Sequence, residues 1–386
     1  MSAFPETTLE FVKRLIAMPT VSRDSNMELI GFVGDYLTAH NVPFRVFEDP
    51  DEPKANLFAT IGPKDVTGII LSGHSDVVPV EGQVWSGDPF APWVADGKLF
   101  GRGAADMKTF IAAALSHVPA MLERGLKQPI HIAISYDEEV GCTGVHSLIE
   151  YVAALAKRPR LCIVGEPTSM QVVNSHKGIN SFRTRITGQA AHSSAPHLGA
   201  SAAYAAARFA GFIEQLAAEQ AAMPESALSA EAKRFSPPYT TFNVGRMTAG
   251  TATNIIPSEA ELLWEFRNLP GADTTELRAR IDAFAETELT SERVRVETEV
   301  LAIAPPLAAG SQGDAETFVM QLARSNTVTA ASYATEAGHF QHRAEVPTVV
   351  CGPGSIEQAH KPDEFIALAQ IDAVDRFLDR LIEAVS

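Results

Sequence analysis

Apolar positions recur at helical spacing twice near the start of the chain. Leu9, Val12, Leu15 and Ile16 share one face over residues 7–18, with Thr7 or Thr8 able to cap the helix. Leu29, Phe32, Val33 and Leu37 repeat the pattern over 27–39. The period then shortens. Ile69-Ile70-Leu71, the alternating Ile130, Ile132 and Ile134, Leu161 to Val164, and Val346 to Cys351 are brief apolar runs bounded by Gly and Pro, and they predict strands. Between the first two, Met107 to Arg124 predicts one helix closed by Gly125. Strands alternating with helices predict an α/β fold, a mixed sheet flanked by helices.

The texture changes between about Gly178 and Pro305. An exposed strand is predicted around Phe182 to Ile186, then an Ala-rich helix over 200–218, strands over 240–247 and 259–267, a helix over 274–286 and a strand over 293–301. That β-α-β-β-α-β order is the ferredoxin-like pattern. It predicts an inserted α+β domain over 178–303, a lid and dimerisation domain, with 1–177 and 304–386 forming a discontinuous catalytic domain. Met223 to Pro238 is polar and Pro-rich and predicts a surface excursion.

Composition narrows the function. A length of 386 residues suits two domains, and 46% hydrophobic with 20% charged residues suits a soluble enzyme. A net charge of −16 argues against a nucleic-acid partner and mildly favours cationic small molecules. Three cysteines predict no disulfide scaffold and a reducing compartment. No signal-like start and no membrane-length apolar run is present, so a cytoplasmic location is expected.

The chemistry lies just past the strands. Ile69 to Leu71 leads to His74 and Asp76, two apart in extended chain, so Asp76 can hold the ring of His74 from behind. Gly101-Arg102-Gly103-Ala104-Ala105 leads to Asp106 at a helix start. Ser135-Tyr136 leads to Asp137-Glu138-Glu139, three acids that repel one another unless a positive group is near. Val164-Gly165 leads to Glu166, and a Gly- and Pro-rich segment leads from Cys351 to His360. Singly, each also reads as a cap, a turn or a hydrogen-bonded loop residue. Together, His74, Asp106, Glu139, Glu166 and His360 fall where ligands gather in open α/β folds, and imidazole with carboxylate suits zinc or a similar divalent ion.

The segments Gly73 to Pro79, Gly101 to Lys108, Asp137 to Gly141 and Gly165 to Thr168 resemble the signatures of the dinuclear zinc amidohydrolases and metallopeptidases, along nearly the whole chain. The ending Gly352-Pro353-Gly354-Ser355 with Gln358 to Glu364 is most similar to the branch that deacetylates N-acetyl-L-ornithine in arginine biosynthesis. The resemblance implies two metal ions, zinc first and cobalt second. Asp106 bridges them, Glu139 and His360 complete one site, and His74 and Glu166 complete the other. Asp76 orients His74, Glu138 is the general base, and the Asp106–Met107 peptide is cis. In the inserted domain, His192 matches an oxyanion-stabilising His that acts on the other subunit of a homodimer. Asn254 and Arg267 match groups that hold the substrate carboxylate or oxyanion, and Gly338 matches a substrate-lining position. The expected partners are a small N-acyl amino acid and a second copy of the chain, with no nucleic acid and no membrane. Desuccinylation, carboxypeptidase action, a single-metal form and a silent scaffold remain as alternatives.

Overall fold

A computed structural model describes residues 4–310 and 313–386. The chain divides into two compact units. One takes in the chain up to Ser175, Leu307–Ala330 and Thr335–Ser386; the other comprises His176–Pro306 and Ala331–Ala334.

In the first unit an eight-stranded mixed sheet runs in the order Phe44–Glu48, Ala55–Ile61, Ile130–Ser135, Ile69–His74, Leu161–Pro167, Thr348–Gly352, Val172–His176 and Val328–Ala331. The four strands from Ile130–Ser135 to Thr348–Gly352 are mutually parallel, and every residue in them is buried. Burial on both faces explains why these strands read as continuous apolar runs. Helices cover them: Thr8–Ile16, Met27–Ala39, Lys108–Ser116 and Leu368–Val385 pack their apolar sides into one core. Thr7 caps the first helix, and Glu10 reaches back to complete a capping box.

The helix predicted over 107–124 is two helices, Lys108–Ser116 and Val118–Arg124, joined at His117. Pro119 is the reason: it has no N–H for the helical ladder and is accepted only in a first turn. Gly125 closes the second helix at φ 66°, as expected of a left-handed cap.

The second unit carries a four-stranded antiparallel sheet in the order Thr241–Ala249, Glu259–Arg267, Ile179–Thr187 and Arg295–Ala304. With helices Ala202–Ala221 and Thr274–Phe284 between strands, the chain order is β-α-β-β-α-β. Phe182, Thr184 and Ile186 are buried while Arg183 and Arg185 face outward, so one sheet face packs on the helices. Phe182, Phe209, Trp264 and Phe266 form its core. The 223–238 stretch is largely exposed but anchored by buried Ala232 and Phe235.

Candidate metal centre

The parallel strands set the site. Gly73 is paired with Ile134 and His74 with Ser135, while Ser72 faces Val164 on the other side. These strands therefore finish at one edge, and the residues beyond them emerge together. Two glycines just ahead of ligand candidates let a helix come close behind. A Cβ on Gly73 would meet Met107 Cε at 2.9 Å, and one on Gly165 would lie 1.9 Å from the Phe110 ring. The helix Lys108–Ser116 thus lies tight on the strand ends and carries Asp106 into the site just before its first turn. The Asp106–Met107 peptide is cis. Buried Lys108 fixes the helix start, its Nζ donating to the carbonyls of Leu15 (3.0 Å) and Met18 (2.8 Å).

Asp106 is the centre of the cluster. Its Oδ1 lies 3.0 Å from His74 Nε2, and its Oδ2 lies 3.3 Å from His360 Nε2. His360 Nε2 is 2.9 Å from Glu139 Oε2, and His74 Nε2 is 3.9 Å from Glu166 Oε1. Ligand-capable atoms of His74, Asp106 and Glu139 all lie within 4.8 Å of one another, as do those of His74, Glu138 and Glu166.

Asp76 does more than stand behind His74. The ring Nδ1 is nearest the Asp76 carbonyl, at 2.9 Å, with the carboxylate at 3.5 Å. That carboxylate accepts the backbone N–H groups of Glu138 (3.2 Å) and Glu139 (3.3 Å) and the Ser22 hydroxyl (2.8 Å). One acid therefore orients the ring and holds the turn that presents both glutamates. Asp137 turns the other way, to the buried Lys54 ammonium at 2.8 Å, which relieves the repulsion among the three consecutive acids. The Cys142 thiol donates to Glu138 Oε1 at 3.4 Å.

The electrostatics report a shortage of positive charge. Among the described residues, the ion pairs of Asp76, Asp106, Glu139 and Glu166 are to two imidazoles, His74 and His360, and Glu138 adds a fifth acid. Desolvation, with Glu139, Asp106 and Asp76 adding repulsion against the attraction of His74, pushes Glu138 up to about 8 although it keeps some exposure. Glu139 rises to about 7 through burial and Asp106, against its bond to His360. Burial, with Asp106 and Glu138 nearby, puts Glu166 well above its ordinary value. Hydrogen bonds to Asp106 and Glu139 raise His360 to about 10. Burial opposes protonation of His74, but Asp106 and Asp76 outweigh it and hold its pKa high. Asp106 stays ionised: burial works against the charge, and the bonds from His360 and His74 win. The Glu166 Oε1 atom is buried with no hydrogen-bond partner. An orphaned buried oxygen beside imidazoles and carboxylates fits a divalent cation, which would satisfy the oxygen and balance the charge.

The other predicted residues sit elsewhere. Gly338 is buried in the short helix Ala337–His342 of the same unit. His192, Asn254 and Arg267 belong to the second unit. There His192 bridges Ile255, and the Ser193 N–H donates to the Asn254 carbonyl at 3.0 Å, so the first two are neighbours. Arg267 forks onto Glu265 of its own strand, at 3.0 and 3.4 Å. Glu336 is buried, taking hydroxyls from Ser72 and Ser135 at 2.6 Å each. Sequence reading passed over Glu364, a buried carboxylate beside Asp106. Its signal was local: an acid closing the same segment that carries His360.

Residues 70–384 match the family described as Peptidase family M20/M25/M40. The chain belongs to this family. It is an M20 hydrolase, and acetylornithine deacetylases are among its similar relatives. That of Pasteurella multocida (strain Pm70) is 33% identical over 383 residues, covering 97% of both chains. That of Proteus mirabilis (strain HI4320) is 33% identical over 390 residues, covering 98% of this chain and 96% of the relative. Among solved structures, an M20 family metallo-carboxypeptidase from Sulfolobus solfataricus has the same fold, with TM-score 0.79, 15% identity and 99% of each chain covered. A dinuclear metal-binding M20 peptidase of Bacillus subtilis aligns with TM-score 0.66 and 13% identity, over 98% of this chain and 97% of that one. Among the described residues no helix of this M20 chain is long and apolar enough to cross a membrane.

Proposed function

We propose that this M20 hydrolase cleaves the amide of N-acetyl-L-ornithine, giving ornithine and acetate, the ornithine-forming step of arginine biosynthesis. One observation carries the chemistry: the two oxygens of Asp106 face two different imidazoles, His74 and His360. The substrate rests on the likeness to acetylornithine deacetylases along nearly the full chain. Asp106 would be shared between two divalent ions, zinc first and cobalt as an alternative. Glu139 and His360 would hold one; His74 and Glu166 would hold the other. When bound, such ions polarise a carbonyl and lower the pKa of water from about 15.7 toward about 7.

The chain's own groups do the rest. Glu138, fixed by its N–H on Asp76 and by the Cys142 thiol, takes the proton of the attacking water and returns it to the departing amine. His192 donates to the oxyanion. The Ser194 N–H donates to its Nδ1 at 3.2 Å, so a neutral ring carries its proton on Nε2 and presents a donor. Asn254 assists. Arg267 holds the α-carboxylate with its fork, exchanging Glu265 for substrate, and Gly338 lines the acyl-amino-acid site. The second unit assembles a homodimer in which His192 acts in trans. Its outer strands Thr241–Ala249 and Arg295–Ala304 expose Met247, Val300 and Ile303, which suits a covered face.

The test is kcat/KM on N-acetyl-L-ornithine, N-succinyl-diaminopimelate and a dipeptide, with metal content measured on the same preparation. Acetylornithine is the expected best substrate, with two ions per chain. A higher kcat/KM on either of the others overturns the substrate assignment. Mixing His192→Ala protein with Glu138→Gln protein should restore activity in heterodimers. Verified heterodimers that stay inactive remove the role in trans.

A further inference from the structure

Two irregular segments, far apart in sequence, supply the groups on one side of the cluster. The turn over 101–106 carries Asp106, with Gly103 at φ 84°. The loop beyond Thr348–Gly352 carries His360 at φ 63° and Asp363 at φ 54°. Neither segment lies in a helix or a longer strand; backbone bonds such as Gly101 N–H to the Glu364 carbonyl (2.9 Å) tie parts of them, and side chains tie the rest.

Glu364, only 1% exposed, does this for the turn. Its Oε1 accepts the N–H groups of Ala105 (2.8 Å) and Asp106 (3.1 Å). Its Oε2 accepts the N–H of Gly103 (3.1 Å) and the Arg102 Nη1 (2.7 Å). Four donors therefore converge on one carboxylate. Arg102, equally buried, continues to the other segment. Its Nη1 also donates to the Lys361 carbonyl (3.3 Å), and its Nη2 donates to Gln83 Oε1 (2.6 Å) while its guanidinium lies 5.0 Å from the Trp85 ring centroid. Gln83 Nε2 donates to the His360 carbonyl at 3.0 Å. The circuit runs from Asp106 through Glu364, Arg102 and Gln83 to His360. Among the described residues, none of these bonds reaches His74, Asp76 or Glu166.

A buried ion pair is a poor way to gain stability, because desolvating both charges offsets their attraction. What the pair supplies that apolar side chains cannot is direction. We propose that Glu364, Arg102 and Gln83 are positioning residues that set the spacing of Asp106 and His360, and so the affinity of the cation on the His360 side more than that of its neighbour. The inference rests on the two-ion reading above. Groups that orient metal ligands are typically worth about 10–100-fold in affinity.

The experiment is calorimetric titration of the metal-stripped full chain with Zn²⁺, for wild type, Glu364→Gln and Gln83→Ala. Glu364→Gln puts an amide where four donors converge, and Gln83→Ala removes a partly exposed side chain. Gln83→Ala, which touches the His360 end, should bind one ion as wild type does and the other about 10–100-fold more weakly, while Glu364→Gln, which also loosens Asp106, should weaken both, the His360-side ion more. Gln83→Ala decides the matter if Glu364→Gln does not fold, with its metal-free melting temperature confirming that it is folded at the temperature of the titration. Both ions at wild-type affinity in Gln83→Ala, or both weakened equally, overturn the proposal. A wild-type chain that takes up no pair of ions overturns the metal-centre reading itself, a result separable from either of those.

Discussion

The two imidazoles on either side of Asp106 are held in opposite ways. His74 ends a buried parallel strand and its side chain is 1% exposed. Its backbone is in a sheet ladder, and both ring nitrogens are engaged. His360 sits in a loop at positive φ, and its side chain is 53% exposed. Its ring is met by Asp106 and Glu139, while its backbone relies on Gln83. The same residue type thus stands once on rigid scaffold and once on a propped loop. The lesson is that ligand quality depends on what holds the backbone, and that loss of one side need not mean loss of the other.

Asp106→Asn tests the pair most severely, because both halves share that carboxylate. Both ions should be lost and activity abolished, as read by metal analysis and turnover on acetylornithine; retention of two ions would end the bridging role. Glu138→Gln should lower kcat by about 10²–10⁴-fold while both ions stay bound. Full turnover in that variant removes Glu138 from proton transfer.

The third prediction sets the halves against each other. His74→Ala leaves the buried Asp106 Oδ1 without its imidazole partner and should cost about 1–3 kcal/mol of metal-free stability by urea unfolding. His360→Ala should cost one ion and leave stability near wild type. Equal destabilisation would erase the contrast.

The last prediction concerns pH. The Glu138 carboxyl, raised to about 8 from an ordinary 4.5, favours the folded state when protonated. That contribution is complete below about pH 4.5 and is lost as pH rises through about 8. Metal-free Glu138→Gln should therefore match wild type near pH 5 and melt higher than wild type at pH 9, other groups cancelling in the difference. Added metal should shrink the gap, since the ion takes over the role of the proton. A constant difference across that range would contradict the charge shortage.

The rigid half of the site was the legible half. His74, Glu138, Glu139 and Glu166 follow apolar runs whose meaning is local, and a strand end predicts where its next side chains emerge. Asp106 was readable as a helix start, but the break at His117 was missed because helical spacing was weighed above Pro119. The roles of Glu364 and Glu336 were not legible. Glu364 bonds to groups about 260 positions away, and Glu336 to Ser72 and Ser135, 264 and 201 positions away. Periodicity carries no information over such separations, so an acid in a loop reads as solvated until the chain is folded around it.

The sheet order has a consequence for synthesis of the chain. Thr348–Gly352 lies between Leu161–Pro167 and Val172–His176, so a late segment fills an interior place between early ones. In the nascent chain that place stays open until the segment over 348–352 has emerged, and His360 follows it in sequence. Of the five residues read as metal ligands, four are made within the first 166 positions and His360 alone waits for the later segment, so the exposed side of the centre is the last to close.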